Sequence, residues 1–572
     1  MPEYAITCPY CFKTFHDNAV LFRASKSWTS QELDMMESSG MDYDGKMVDK
    51  AELARRKLFC TRDKDDALDS FWKDHGGANG YQMLDPNWGM PYIDPLNQET
   101  FDRMVNKAAP DSDSDGMIRD RDGFTMRVWD AYNVAGVDAM TRLCRFCHNP
   151  LPLPDYGKYP VIFISVVGIT GSGKTVYLEQ LLNNFVVAIQ DTGYHMGTAS
   201  IPEGNVALGS PLPGATDPSI MRRPIAVTLI KNGNSKKGVT LVLYDIAGEN
   251  CVAEKKNDGS IDDHVSVGHF VGYCDALLFL IDPKQIPGFA KDAKHIAEVS
   301  DVINTVHNIR AAVNREQPSW NGIPVATVLT KSDSLKGQSE DFPANSPLFQ
   351  PIKHGDGESG QRGFDRKEYR EINKLLQTII KNQAHTLDAA IRAFDTHGFF
   401  AVSAISSGVE SHVRKFSNEY LLDETNEVKF RALKEWADGW RSRSPEDRLH
   451  YPKCSVRLKN GEPIEGGALN GNLETEIIAS TTVQGEASTI NLTVADVTNE
   501  LNLESYPSGI PSSLRIEEPI LWILWQLGLI GPRFQPDEKP HKRFLETVAS
   551  FEERMSDYRR EMREKERKFY LL

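Results

Sequence analysis

The chain has 572 residues, of which 40% are hydrophobic and 25% charged, and a formal net charge of -15. That length exceeds what one hydrophobic core organises, so roughly two to four structural units are expected, and the acidic balance argues against a protein that coats nucleic acid or an anionic membrane. No charged-then-apolar leader opens the sequence, and the longest apolar stretch, Pro519 to Ile530, is about half of a membrane span, so the expectation is a soluble, cytoplasmic protein.

The first motif in chain order is Cys8-Pro-Tyr-Cys11, answered far downstream by Cys144-Arg-Phe-Cys147. Eight cysteines in so long a chain do not read as a disulfide framework. Each CxxC turn can offer two thiolates to one tetrahedral metal, so Cys8, Cys11, Cys144 and Cys147 are read as a structural Zn2+ site; two unrelated reduced pairs or a redox couple are the rival readings. Common zinc ribbons separate their cysteine pairs by about 15–20 residues. Here residues 12–143 intervene, and they are read as an insertion emerging from a ribbon, with helical pieces near Gln31 to Phe59 and Gln98 to Lys107. Within it, Asp111-x-Asp113-x-Asp115-Gly116-x-Ile118, with Asp122 following, resembles the opening of an EF-hand Ca2+ loop. Against Ca2+ stand Arg119 at a ligand-associated position, the short Asp122 where a bidentate Glu belongs, and Pro110 in the entering helix, so an acidic solvated turn is preferred.

The strongest signal follows. An apolar, β-branched strand, Val161 to Val167, runs into Gly168-Ile-Thr-Gly171-Ser172-Gly173-Lys174-Thr175 and then a helical run. That is the spacing of a phosphate-binding loop. Glycines let successive amides point at phosphate oxygens and the helix adds the positive end of its dipole. Lys174 would reach the β and γ phosphates, and the Thr175 hydroxyl would coordinate Mg2+.

Each later strand ends in a residue type that nucleotide chemistry wants. Strand Val239 to Tyr244 leads to Asp245-Ile-Ala-Gly248-Glu249, where Asp245 can hold Mg2+ and Gly248 can offer its amide to a γ-phosphate. Strand Ala276 to Ile281 ends at Asp282-Pro283, and strand Val325 to Leu329 at Thr330-Lys331-Ser332-Asp333. The Asp333 carboxylate matches the two N-H donors of guanine and opposes the acceptor of adenine, while the stem of Lys331 can cover a ring face. A last strand, Gly398 to Val402, delivers Ser403-Ala404, whose backbone N-H can bond a guanine carbonyl. Near-continuous apolar strands between helical stretches indicate an α/β fold with a mostly parallel sheet covered on both faces.

With GITGSGKT, DIAGE, TKSD and SA in that order, the chain resembles the P-loop GTPases, specifically the Ras-like, translation-factor-related class, over roughly residues 158–404 plus a closing helix near Glu517 to Leu529. The resemblance implies a Ras-like core binding GTP/GDP and Mg2+, with Lys331, Asp333 and Ala404 reading guanine and a switch around Asp245 to Glu249. Thr330 stands where the family usually has Asn. Glu249 stands where many relatives have a water-orienting Gln; it would position or partly deprotonate water, or be a surface charge beside a switch. Between the first helix and strand Ile225 to Ile230 lies a Gly- and Pro-rich stretch in which Thr216 is the candidate for the Mg2+-closing threonine, an ordinary loop threonine being the alternative. Arg222 and Arg223 nearby read as neutralising adjacent acids rather than as catalytic charges.

Residues 334–363 read as a mobile insertion, followed by a long helix from Arg366 to Phe394. Residues 405–512 read as a second insertion, with a helix around Glu427 to Trp440 and strand-like alternation from Asn460 to Leu503. A charged helix, His541 to Tyr570, closes the sequence. The resulting division is a zinc-ribbon-like module (1–155), a GTPase core (156–404), an insertion (405–512) and a closing segment (513–572). A zinc ribbon ahead of such a core, with insertions after the last two motifs, is similar to prokaryotic GTPases of conflict and phage-defence systems. The resemblance implies a slowly hydrolysing switch working through a protein partner, such as a second GTPase or an effector, with oligomerisation open. A nucleotide-locked scaffold that never turns GTP over is the rival.

Overall fold

The computed structural model describes residues 4–75, 85, 87–109, 112–132, 141–168, 171–190, 192–200, 212, 223–247, 269–286, 289, 296–313, 323–351, 366–406, 409–413, 455–458, 476–483, 486–493, 503–507 and 512–530. The chain divides into two compact units, one made of residues 1–202, 215–402 and 515–572, the other of 203–214 and 403–514.

The N-terminal part of the first unit is built from short strands. β1 (Ala5–Thr7) and β2 (Thr14–His16) form a hairpin around the first cysteine pair. β3 (Leu21–Arg23) lies between β4 (Tyr92–Ile93) and, after the β5–β6 hairpin (Met117–Arg119, Thr125–Val128), β7 (Arg142–Leu143), which leads into the second pair. Helices α1 (Ser30–Ser39), α2 (Lys50–Arg56), α3 (Asp66–His75) and α4 (Gln98–Met104) fill the segment between. α1 starts where a capping box predicts: Thr29 accepts from the Glu32 amide and the Glu32 carboxylate accepts from the Thr29 amide. The helical run anticipated from Gln31 to Phe59 is broken at Gly40, whose φ of 69° ends α1 in the left-handed region.

The core of the unit is a seven-stranded sheet of β8 (Val161–Gly168), β9 (Tyr194–Ala199), β10 (Ile225–Lys231), β11 (Gly238–Ala247), β12 (Ala276–Ile281), β13 (Pro324–Leu329) and β14 (Thr396–Ala401), in the spatial order β14-β13-β12-β8-β11-β10-β9. The five central and distal strands run parallel, and β10 and β9 are antiparallel additions at one edge. Every residue of β12 and β13 is buried, the mark of a sheet covered on both faces. The covering helices include α5 (Lys174–Gln190), the four-residue α6 (His269–Gly272), α7 (Ile296–Val313), α8 (Arg366–Gln383), α9 (His385–Ile391) and α10 (Glu518–Gln526). From β8 the chain winds first to one side and then crosses to the other, which makes the carboxyl end of β8 a topological switch point.

Three expectations change. β9 has no anticipated strand, because its solvent-alternating YHMGTA carries no hydrophobic run. The single helix from Arg366 to Phe394 is two, divided at Ala384 (φ -139°), which lets Phe394 pack on Phe279 of β12, ring centroids 6.2 Å apart. Residues 334–351 are anchored rather than loose, with Leu335, Phe342, Leu348 and Phe349 buried. α10 closes the sheet as anticipated; Arg515, buried before it, holds Glu518 at 2.6 Å and Glu368 at 2.8 Å, and Trp522 packs on Phe400. In the second unit, β15 (Val409–Val413) pairs with β19 (Leu503–Pro507), and β16 (Ser455–Leu458), β17 (Glu476–Val483) and β18 (Glu486–Thr493) form an antiparallel sheet, of which β17 and β18 fall within the stretch read as strand-like and β16 precedes it. The helices expected at Glu427 to Trp440 and His541 to Tyr570 lie outside the described residues. No helix among the described residues is long and apolar enough to cross a membrane.

The first cysteine turn is clasped to the core sheet. Phe12 stacks on Tyr273 (centroids 4.4 Å, planes 13° apart) and meets Phe163 of β8 at 5.2 Å and Phe270 of α6 at 5.6 Å. The Tyr244 hydroxyl of β11 donates to the Pro9 carbonyl at 2.6 Å. Phe12→Ala is expected to lower unfolding stability by about 3 kcal/mol, the low end for phenylalanine truncation because the ring is only partly buried, and Tyr244→Phe by about 1 kcal/mol; urea denaturation of the two variants checks both values.

Candidate functional site

At the end of β8 the chain must turn sharply into α5, and the glycines permit it. Gly171 and Gly173 have φ of 80° and 78°, a region closed to most side chains. Gly168 is constrained by space: a Cβ there would lie 2.6 Å from the Leu280 carbonyl oxygen and 2.6 Å from Ser172 Oγ. The turn leads into the first amides of α5, which have no intrahelical acceptor and carry the positive end of the helix dipole. Lys174, 6% exposed, folds back so that its ammonium donates to the Gly168 carbonyl. Ser172 Oγ is buried with no hydrogen-bond partner among the described residues. A buried cation, a buried hydroxyl and a helix amino end converge here, a set that suits an anion.

The parallel register sets the other strand tips level with this loop, Ala247 opposite Gly168 on one side and Leu280 opposite Gly168 on the other. Thr175 Oγ1 stands 3.5 Å from Asp245 Oδ2. These two oxygens suit Mg2+, which keeps several of its waters and takes few protein ligands. Gly248, Glu249, Thr216 and Arg222 lie outside the described residues; Arg223 is exposed.

The tip of β13 is tied onto the loop from above. Thr330, 4% exposed, donates through Oγ1 to the Ser172 carbonyl at 2.7 Å, so the hydroxyl makes the link to the loop. Lys331 adopts φ 49°, ψ 35°, a left-handed conformation that costs a non-glycine residue energy and is held only by its surroundings. That conformation carries Nζ to 2.5 Å from the Gly171 carbonyl and 2.7 Å from Asp282 Oδ2. Asp333 follows, half-buried, in the turn Ser332–Leu335. Ser403 and Ala404 come directly after Val402 in sequence, in the second unit. The Ser403 amide donates to the Leu514 carbonyl at 3.0 Å and the Leu514 amide returns the bond, so Ser403 does not offer its N-H to a base, and the expectation rests on Ala404.

The two cysteine pairs, 133 and 139 positions apart in their cross contacts, form one cluster. All four Sγ atoms lie within 4.8 Å of one another, with Cys8 to Cys147 at 3.6 Å and Cys11 to Cys144 at 3.7 Å. A tetrahedron of thiolates about 2.3 Å from one zinc has edges of about 3.8 Å, whereas a disulfide needs about 2.05 Å. The pairs repeat one turn. Phe12 and His148, each just after the second cysteine, have φ of 54°. Cys8 and Cys144 each accept an amide two residues on (Tyr10 at 3.3 Å, Phe146 at 3.4 Å). Burial pushes the Cys8 and Cys144 thiols well above their ordinary range, while hydrogen bonds from Cys144, Cys147 and Cys8 push Cys11 down; a divalent cation at the centre resolves that conflict by charge.

The acidic loop resolves against Ca2+. The Arg119 guanidinium bonds Asp113 at 2.6 Å and Asp115 at 2.6 Å, and Asp122 pairs with Lys158 at 2.9 Å. Protein cations thus occupy the neighbourhood a metal would need; Asp111 lies outside the described residues. Two contacts have no local spacing signal in the sequence: that of Asp282 with Lys331 and that of Phe12 with Tyr273.

No family model and no curated protein matches the chain. Among solved structures it is similar to the small GTPase Arl6 (BBS3) from Trypanosoma brucei with a bound nucleotide analogue, at 14% identity over 43% of this chain and 87% of that one, with a TM-score of 0.18. It is also similar to a variant of Era from Aquifex aeolicus bound to GDP and aluminium fluoride (15% identity, 43% and 52%, TM-score 0.19) and to a GTP-binding protein from the archaeon Sulfolobus solfataricus in complex with GDP (15%, 42% and 47%, TM-score 0.18). The chain spans about half the length of the latter two. Identities and TM-scores this low transfer no residue role, so function is argued from the chain's own geometry.

Proposed function

We propose that this protein is a GTP-binding and GTP-hydrolysing switch with a structural zinc cluster, acting through a protein partner in a prokaryotic defence system. The observation that supports the nucleotide reading is the tie between the phosphate loop and the turn after β13, where Thr330 Oγ1 donates to the Ser172 carbonyl and Lys331 Nζ to the Gly171 carbonyl, because the same turn carries Asp333, whose carboxylate matches guanine. Lys174 and the amides of residues 171–175 hold phosphate, Thr175 and Asp245 hold Mg2+, and Lys331 and Asp333 hold the base. Mg2+, when bound, neutralises charge on the β and γ phosphates. Gly248, with Thr216, would respond to the γ-phosphate, and Glu249 would orient water. The defence role and the partner, a second GTPase or an effector in a heteromeric or oligomeric assembly, rest on the motif order and insertions alone.

Calorimetry with Mg2+ should give association heat for GTP and none for ATP, and Lys174→Ala should weaken GTP binding by about 100-fold, as loss of a hydrogen bond to a charged group does; equal binding of ATP would remove the guanine reading. Asp333→Asn replaces an acceptor pair with one donor and one acceptor, so preference should move from guanine to xanthine nucleotides, whose C2 carbonyl accepts. Single-turnover phosphate release from bound GTP should be slow yet measurable and absent in Lys174→Ala; no release at all favours a nucleotide-locked scaffold.

Elemental analysis should find one zinc per chain. Replacing Cys8 and Cys147 with serine should abolish that metal and lower the thermal midpoint, because the binding energy of a structural metal is part of folding energy.

A further inference from the structure

Asp282 has no role in the motifs of the nucleotide reading, yet it holds the lysine of that reading in place. It ends β12 and is 7% exposed. Its Oδ1 accepts from the Lys284 amide at 2.9 Å, its own amide donates to Gln285 Oε1 at 3.3 Å, and Pro283 stiffens the turn between. The carboxylate is therefore fixed before it meets any partner. Its Oδ2 lies 2.7 Å from Lys331 Nζ, which comes from the neighbouring strand β13 and is simultaneously 2.5 Å from the Gly171 carbonyl. From its left-handed backbone conformation the Lys331 side chain runs back across the loop, with Cε 3.6 Å from where a Gly173 Cβ would stand.

We infer that Asp282 is a positioning residue of the nucleotide site, one that pins the Lys331 ammonium so that the lysine stem forms a fixed wall for the purine and ribose instead of a free cation for phosphate. Two lysines thereby divide the work. Lys174 meets the phosphates, and Lys331, already matched by a carboxylate, supplies apolar surface and carries little of the phosphate attraction. Without the carboxylate, the half-exposed Lys331 side chain gains rotamer freedom that nucleotide binding must then remove.

The inference rests on guanine-nucleotide binding as proposed above, and the experiment separates the two. Dissociation of a fluorescent GDP is timed by stopped flow from the full chain and from Asp282→Asn, Lys331→Met and the double variant. Asparagine keeps the turn's cap and removes only the carboxylate charge, whereas methionine keeps the apolar stem and removes the ammonium with its bonds to Asp282 and the Gly171 carbonyl. Asp282→Asn should speed release about fivefold with its thermal midpoint unchanged, Lys331→Met by at least that factor, and the double variant no more than Lys331→Met alone. A single-variant effect below twofold, or a double variant equal to the product of the singles, overturns the inference. Should Asp282→Asn not fold, Asp282→Ser caps the same turn without charge and is held to the same criteria. If the unaltered chain binds no GDP, the nucleotide reading itself fails.

Discussion

Everything at the candidate nucleotide site depends on the close contact of three strand ends. Gly168 lies against the Leu280 carbonyl with no room for a methyl group, and from the next strand Thr330 and Lys331 bond the carbonyls of Ser172 and Gly171. A glycine-rich loop left to itself pays heavily in conformational entropy to hold one shape. Here two side-chain donors that follow β13 engage the carbonyls of Ser172 and Gly171 and restrict the shapes those residues can take. The parallel register makes this geometry possible, since it brings the tips of β8, β11, β12 and β13 to one edge of the sheet.

The N-terminal module solves a different problem. Short strands of two to four residues supply few ladder hydrogen bonds, and the module packs instead on buried side chains such as Phe22, Phe59, Trp72 and Phe101 together with the sulfur cluster. Because the cost of closing a chain loop rises only slowly with length, a long insertion between the two cysteine turns is tolerated. The insertion is itself ordered by buried pairs such as Arg23 with Asp85 at 2.5 Å and by His148 with Asp65 at 2.8 Å. His148, which looks like a spare ligand beside Cys147, is thus already engaged with a carboxylate.

What the sequence reveals here is what is local. Strands β12 and β13 are legible as unbroken apolar runs, and the loop after β8 as a fixed spacing of glycines ending in Lys174. The two cysteine turns are legible as one four-thiol set, because the shared CxxC spacing and the shared chemistry link them across the insertion. The contacts that join distant segments carry no such spacing: Asp282 with Lys331, Phe12 with Tyr273, and Ser403 with Leu514 arise only when segments 49 to 261 positions apart meet, and nothing in a one-dimensional pattern marks them. β9 is invisible for another reason, since an edge strand facing solvent needs no hydrophobic alternation strong enough to read. The division at Ala384 has no proline or glycine to announce it.

The loop bearing Asp113 and Asp115 supplies its own counter-ion. Although partial burial works the other way, the Arg119 guanidinium keeps the Asp115 carboxyl below its usual range. An acidic turn that would otherwise need an ion from solution to relieve its repulsion carries that relief four residues along the same strand. Part of the counter-charge the turn requires is therefore encoded beside it in the chain.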